Sequence, residues 1–382
     1  MSGFDRRQFL KLTGGTGAIA LSGLAGCTGG PTGGDETTTD TTTTSTGDQT
    51  TSEQTTTAAA DPTWVGMVYA TGGLGDGSFN DQAQSGLKEA VSEYGVKYNQ
   101  AQPEEVSDFK NYQQQFAQST DPNYDLVSTI GFLQADALSQ TAPQYPDQKF
   151  MIVDSVVDEP NVASYTFKEH EGSYLVGKLA GLLTTMEFSA GAGATKPGAK
   201  SVGFVGGVKS GLIKKFEAGY RAGVTAADSE IDIQSTYVGS FNDPSGGKEA
   251  ALAMYNGGAD IVYHASGNTG TGVFQAAQEK GRFAIGVDRD QSVTKSSYKD
   301  VILASMVKRV DTAVFTSIED VIQDSFDGGT ATTLGLAEEG VAIVYGQQLG
   351  SEIPQDVHDT IASDRDAIIN GEITVPTDPA DV

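Results

Sequence analysis

Two phenylalanines and a carboxylate–ammonium couple are the residues of this chain best placed to hold a small polar ligand. Phe79 opens a helical stretch just after a glycine-rich run, Thr71-Gly-Gly-Leu-Gly-Asp-Gly77. Phe216 lies early in a second helix, after the run Gly206-Gly207. A lone Phe at such a position is core by default. Facing each other across a cleft, the two can sandwich a planar ring, and stacking on a base is worth ~1–3 kcal/mol. Asp288 ends an apolar run and precedes Arg289 and Asp290, and Lys308 follows Ile302-Leu-Ala-Ser-Met-Val307. A carboxylate there can accept bonds from sugar hydroxyls, with an ammonium donating beside it. The plainer alternative is an interlobe salt bridge, or solvated charges at strand ends.

Other chemistries find less support. Gly203-Phe-Val-Gly-Gly-Val-Lys209-Ser210 approaches a phosphate-binding loop, but Val208 stands where that motif needs glycine. Lys209 therefore reads as a surface charge. His170, His264 and His358 are far apart and lack metal-ligand spacing. His264 ends an apolar run near the proposed cleft, where a satisfied buried histidine is the simpler reading. No acidic loop follows the calcium pattern, and no Gly-x-Ser-x-Gly elbow is present. No metal, cofactor or catalytic residue is expected, and the chain reads as a non-enzyme.

These residues sit in a regular rhythm. Runs at 65–69, 125–130, 150–154, 202–205, 260–264 and 283–287 read as strands. Stretches at 79–94, 172–185, 212–226 and 248–256 read as helices. Such alternation predicts parallel, doubly wound sheets. Asn161-Val-Ala-Ser-Tyr-Thr-Phe167 breaks the rhythm and reads as a strand crossing between lobes, and 187–200 as a surface loop. Ligands of open parallel sheets bind beyond the carboxyl ends of the strands. Glycines recur at those ends, in both halves, which favours a cleft between two lobes.

Composition bounds the setting. The chain carries 24 basic against 50 acidic residues, a formal net charge of −26. That balance excludes nucleic acid as a partner, since binding phosphates needs a basic footprint. Acids spread along the chain, as at Glu319-Asp320 and Asp364-Arg-Asp366, fit molar salt, where the Debye length falls to ~3 Å. Arg6 and Arg7, the apolar Gly-rich stretch 12–24 and Leu24-Ala-Gly-Cys27 read as a twin-arginine export signal ending in a lipid-attachment cysteine. The apolar stretch is shorter than the ~20 residues of a spanning helix. Cys27 is the only cysteine, so no internal disulfide can form and a large core must hold the protein. The Thr-, Gly- and Ser-rich segment after it has almost nothing to bury and reads as a disordered stalk.

In order along the chain stand Val65-Gly-Met-Val, Thr71-Gly-Gly-Leu-Gly-Asp-Gly-Ser-Phe-Asn80, Gly131-Phe132 and Ala135-Asp-Ala137. Then follow Tyr145-Pro-Asp-Gln-Lys-Phe150, Asn161-Val-Ala-Ser164 and Phe167-Lys-Glu-His-Glu-Gly-Ser-Tyr-Leu-Val-Gly177. Val202-Gly-Phe-Val-Gly-Gly207, Lys215-Phe-Glu-Ala-Gly219, Gly286-Val-Asp-Arg-Asp-Gln291 and Ala304-Ser-Met-Val-Lys-Arg-Val-Asp311 complete the series. Through these blocks the chain resembles the basic membrane protein family, the PnrA-like nucleoside-binding lipoproteins of ABC transporters. The resemblance implies an α/β, type I periplasmic-binding-protein fold: two doubly wound parallel-sheet lobes joined by crossover strands. It implies a purine nucleoside such as inosine, guanosine or adenosine, with Phe79 and Phe216 as stacking rings. Asp288 and Lys308 would hold the ribose, Asn80 and Gly267 would lie close by, and Asp136 and Asp154 would add contacts from the first lobe. Family members often carry Asp immediately before the Thr-Gly-Gly, where this chain has Ala70.

The expected organisation is a signal over 1–27, a stalk over 28–61, a first lobe of 62–168 with 289–326, and a second of 169–288 with 327–382. The expected function is ligand capture by hinge closure, with crossovers near Phe167, Asp288 and Phe326. The expected protein is a monomer, lipid-anchored on the outer face of the cell membrane, that delivers its ligand to an ABC permease. A receptor for another polar solute such as a sugar, a sensor, and an exported nucleoside hydrolase are the alternatives. The charge balance generates its own test: transfer from molar salt into dilute buffer should collapse the far-ultraviolet circular dichroism signal. Equal thermal stability in the two media would contradict the salt-adapted reading.

Overall fold

The computed structural model describes residues 61–196 and 198–382, and the expected signal, lipidation and stalk segments, apart from Asp61, lie outside the described residues. The first half runs β1 (Trp64–Val68), α1 (Phe79–Tyr94), β2 (Lys97–Ala101), α2 (Phe109–Ala117), β3 (Leu126–Thr129), α3 (Ala135–Thr141), β4 (Phe150–Val153) and β5 (Val162–Phe167). Next come α4 (Glu169–Thr184), the short antiparallel pair β6 (Ser189–Ala190) and β7 (Gly193–Ala194), β8 (Ser201–Gly206) and α5 (Gly211–Ala227). The chain continues through β9 (Asp232–Tyr237), α6 (Pro244–Asn256), β10 (Ile261–Ala265), α7 (Gly270–Lys280), β11 (Phe283–Asp288) and the single turn α8 (Gln291–Thr294). It finishes with β12 (Ile302–Lys308), α9 (Val310–Ile322), β13 (Thr330–Leu334), β14 (Val341–Tyr345) and α10 (Gln355–Ile369).

Two six-stranded sheets result, ordered β13-β5-β4-β3-β1-β2 and β14-β12-β11-β10-β8-β9. Every pairing in them is parallel except β12 with β14. Helices cover both faces of a parallel sheet, so its central strands are apolar throughout. Phe150, Met151, Ile152 and Val153 on β4 are all buried, as is every residue of β12, including the terminal Lys308.

The chain passes between sheets three times: at Lys168, between β5 and α4; at Arg309, between β12 and α9; and over 335–340, between β13 and β14. The first passage lies beside the expected Phe167. The other two correct the expected boundaries. Residues 302–308 pair with β11 as β12, so they extend the second sheet and the chain leaves it only after Lys308, not at Asp288. Residues 330–334 pair with β5 and so belong to the first sheet, which moves the last passage beyond Phe326. β13 reads Thr-Ala-Thr-Thr-Leu and is largely exposed, so an apolar-run criterion passes over it. The segment Asn161–Phe167 is the ordinary strand β5, with the passage just after it.

Local chemistry explains the helix starts. Ser210 caps α5 by accepting from the Ile213 N–H at 3.2 Å, and Asp243 caps α6 by accepting from the Gly246 N–H at 2.9 Å. The Lys209 ammonium lies 5.7 Å from the centre of the Tyr237 ring, so the rejected phosphate loop is a strand exit leading into a capped helix.

α4 and α5 pack in backbone contact. A Cβ added at Gly177 would come within 2.1 Å of the Tyr220 carbonyl oxygen, one at Gly219 within 2.1 Å of that of His170, and one at Gly223 within 2.1 Å of that of Tyr174. This crossing sets the distance between Glu169, at the start of α4, and Phe216, on α5. Gly219→Ala gains ~1 kcal/mol of helix propensity, yet forces the helices apart at a typical cost of ~1–3 kcal/mol. Its melting temperature should fall below that of the parent, and an unchanged or higher value would contradict the close crossing.

Candidate functional site

A cavity opens where the carboxyl ends of the two sheets meet. The space between its walls is about 660 Å³, part of it continuous with solvent. The first sheet contributes the β1 exit (Ala70, Thr71, Gly72), the β3 exit (Ile130, Gly131) and Asp154 after β4; the second contributes Ala265 and Ser266, Val287 and Asp288, and Lys308.

The loop between β1 and α1 is built to present Phe79. Asp76 is buried and accepts from the backbone N–H of Ser78 at 2.8 Å and of Asn80 at 2.9 Å. The Asn80 amide donates to Asp76 at 3.2 Å, while its carbonyl oxygen accepts from the Ala70 N–H at 2.9 Å. Asn80 thus lines the cavity with its polar atoms committed to the loop, and Phe79, between these anchors, is held against the bare face of Gly131.

Phe79 and Phe216 both border the cavity and converge on one cation. The Lys308 Nζ lies 4.9 Å from the Phe79 ring centre and 5.4 Å from those of Phe216 and Phe167, within cation–π range. It donates to Asp154 at 2.7 Å and stands 3.7 Å from Glu169. Burial draws the Lys308 ammonium down, but Asp154, Glu169 and Asp288 outweigh it and hold the group above its usual value. Glu169 is fully buried with neither oxygen hydrogen-bonded, and one Asp154 oxygen is likewise free, among the described residues. Burial pushes the Glu169 carboxyl up to about 7 and that of Asp288 up to about 6, against the pull of Lys308.

The two aspartates are placed alike. Asp154 has φ 70° and Asp288 φ 64°, left-handed conformations that non-glycine residues adopt at a cost. Both turn a carboxylate into the cavity from a strand end. Contacts across the cleft hold the lobes together: the Ser78 hydroxyl donates to Asp288 at 2.5 Å, and the Gly77 carbonyl accepts from Thr294 at 2.8 Å and Gln291 at 3.3 Å. The structure is therefore a closed form.

Of the residues singled out in the sequence, Phe79, Asn80, Phe216, Gly267, Asp154, Asp288 and Lys308 line this one cavity. Asp136 does not: it is exposed on the first turn of α3, because the chain turns into that helix beyond the β3 exit. His264 is a satisfied buried histidine, bonded to Gln291 at 2.8 Å and Ser266 at 3.2 Å. Phe132, Phe241, Asp76 and Ser266 line the cavity without having been singled out as site residues. Asp76, three residues ahead of the start of α1 and accepting from the Ser78 and Asn80 backbone, is an Asp-before-helix signal that could have found it. Phe241 follows β9, a half-exposed strand with no apolar run, so its exit was not legible.

The carboxyl shifts generate a pH dependence. Glu169 and Asp288 hold protons more tightly folded than unfolded, so stability rises as pH falls through about 7 toward the unfolded value near ~4. His170 and His264, each held down at about 4 by burial, lose stability as pH falls through about 6.5 and oppose that trend, so the carboxyls' share is read from a variant. The melting temperature of the unliganded parent relative to Glu169→Gln should be higher at about pH 5.5 than at about pH 8, and the same offset at both pH values would contradict a raised Glu169.

The site and fold can be set beside known proteins. The family model described as ABC transporter substrate-binding protein PnrA-like matches residues 64–379. A Lactococcus lactis protein named ABC transporter nucleoside-binding protein BmpA is 36% identical over 331 residues, covering 81% of this chain and 88% of the relative. A Listeria innocua protein named CD4+ T-cell-stimulating antigen is 37% identical over 334 residues, covering 82% and 88%. The crystal structure of an ABC transporter solute-binding protein from Aeropyrum pernix superposes with a TM-score of 0.73 at 28% identity, over 83% of this chain and 94% of that one. The fold is the type I periplasmic-binding-protein fold, α/β with two doubly wound lobes. Matched over most of its length, the chain belongs to the PnrA-like family of ABC transporter substrate-binding proteins.

Proposed function

We propose that this protein captures a purine nucleoside between its lobes and hands it intact to an ABC permease. The observation that carries the reading is the convergence of Phe79 and Phe216 on Lys308, with Asp154 and Asp288 beside them in one cavity. Such a site suits a ligand with a flat aromatic half and a hydroxyl-bearing half. The base stacks between the two rings. The ribose hydroxyls donate to Asp288 and to the free oxygen of Asp154 and accept from Lys308. The Lactococcus lactis relative, named for nucleoside binding, supports this ligand class. Free bases lack the hydroxyls that would answer the buried charges, so they bind less well.

Relatives named basic membrane protein in Borreliella burgdorferi and uncharacterized lipoprotein in Pyrococcus abyssi support a site of action at the outer face of the membrane. Export through Arg6 and Arg7 and lipid attachment at Cys27 complete the proposal. No bond of the ligand is broken: the site supplies hydrogen bonds and stacking, and closure holds the ligand between the lobes.

A thermal-shift panel of nucleosides, free bases and sugars at high salt tests the reading. Inosine, guanosine or adenosine should raise the melting temperature. Phe79→Ala should weaken binding roughly 5- to 150-fold, as loss of one stacking partner implies. Asp288→Ala should weaken it further for the nucleoside than for its free base. Stabilisation by a sugar alone would replace the nucleoside with a saccharide, and release of free base on incubation would make the protein a hydrolase.

A further inference from the structure

Phe132 and Phe241 meet across the cleft, with ring centres 6.4 Å apart and planes at 83°, an edge-to-face pair. Each is fixed by its own lobe. Phe132 opens the turn after β3, and the Gln134 amide of that turn donates to the Val68 carbonyl at 2.7 Å and the Ile130 carbonyl at 3.0 Å. Phe241 belongs to the second lobe, where its carbonyl accepts from the Thr269 N–H at 3.2 Å. Its ring rests on Gly207, where an added Cβ would come within 2.4 Å of it, and its carbonyl oxygen lies 3.1 Å from a Cβ added at Gly267. These two glycines, which look like ligand approaches, make room for Phe241.

The pair stands at the end of the cavity remote from the crossovers. β8, which leads to Gly207, is three strands from β12, which ends in Lys308, and strands lie ~4.8 Å apart. Both side chains are half-buried and line the cavity. Since each ring is anchored in a different sheet's loops, opening the lobes must separate them.

We propose that Phe132 and Phe241 form an aromatic gate at the mouth of the cavity that sets how long the ligand stays bound. The gate rests on the two-lobe capture proposed above, yet its rings touch none of the charged groups assigned to the ribose. Affinity differences within one site appear mostly in the dissociation rate, and a gate should act on that rate alone. Association proceeds through the open form, in which the rings are already apart.

Stopped-flow association and dissociation of guanosine, followed by intrinsic fluorescence, test the gate in Phe241→Ala, Phe132→Ala and the double variant. Each single variant should raise the dissociation rate about tenfold and change association less than about twofold, and the double variant should add little more. Dissociation rates within about twofold of the parent in both single variants would overturn the gate. Loss of the Phe241 ring empties the space above Gly207, so unliganded melting is measured alongside; if Phe241→Ala fails to fold, Phe132→Ala decides. If the parent protein binds no nucleoside, the nucleoside reading fails. The gate is then judged by the same rates with whichever sugar of the thermal-shift panel the parent does bind.

Discussion

An ammonium ion buried almost completely must be surrounded by groups that replace its water, and Lys308 imposes that demand where the chain crosses between lobes. Asp154 answers from the first lobe, Glu169 from the start of α4, and three aromatic rings present their faces. Removing any partner would strand a charge in low dielectric. The rings that flank the cavity are therefore placed by the same interaction that ties the crossovers together. Burial, with the neighbouring carboxylates adding to it, lifts Glu169 and Asp288 toward neutrality against the pull of Lys308.

Sidedness of the parallel sheets does the rest. All first-sheet strands that reach the cavity deliver their carboxyl ends to one edge, and those of the second sheet do likewise. The loops at these edges are held by short-range bonds: Asp76 organises the turn before α1, and Gln291 joins Val287, His264 and the opposite lobe's Gly77. Ser78 reaches over to Asp288, so a carboxylate of the cavity also takes part in closure. In the capture proposed here, binding and lobe movement share atoms, with no intermediary needed.

Much of this was legible beforehand. The run 79–94 is α1 as expected, bounded by a strand exit at one end and Gly95 at the other. The buried central strands were recognisable because both their faces are apolar. Edge strands were not: β2, β9 and β13 are largely polar and exposed, and the last lobe boundary went astray with β13. Lys308, a charge at the end of an apolar run, read as a cleft ammonium or, more plainly, as an interlobe salt bridge or a solvated strand end; it is buried at the cavity and paired with Asp154 of the first lobe. Asp136 shows the opposite failure, since a carboxylate near a strand exit is turned outward by the helix it begins.

By itself the sequence determined the family, the alternation of strands and helices, and seven of the residues that border the cavity, because these depend on local pattern and residue type. Only the tertiary structure decided where the chain changes lobes, that Lys308 stands among three rings and three carboxylates, and that Phe241 meets Phe132. The Phe132–Phe241 and Asp154–Lys308 contacts join residues more than a hundred positions apart, and nothing in their immediate neighbourhood along the chain encodes the distance that packing finally sets.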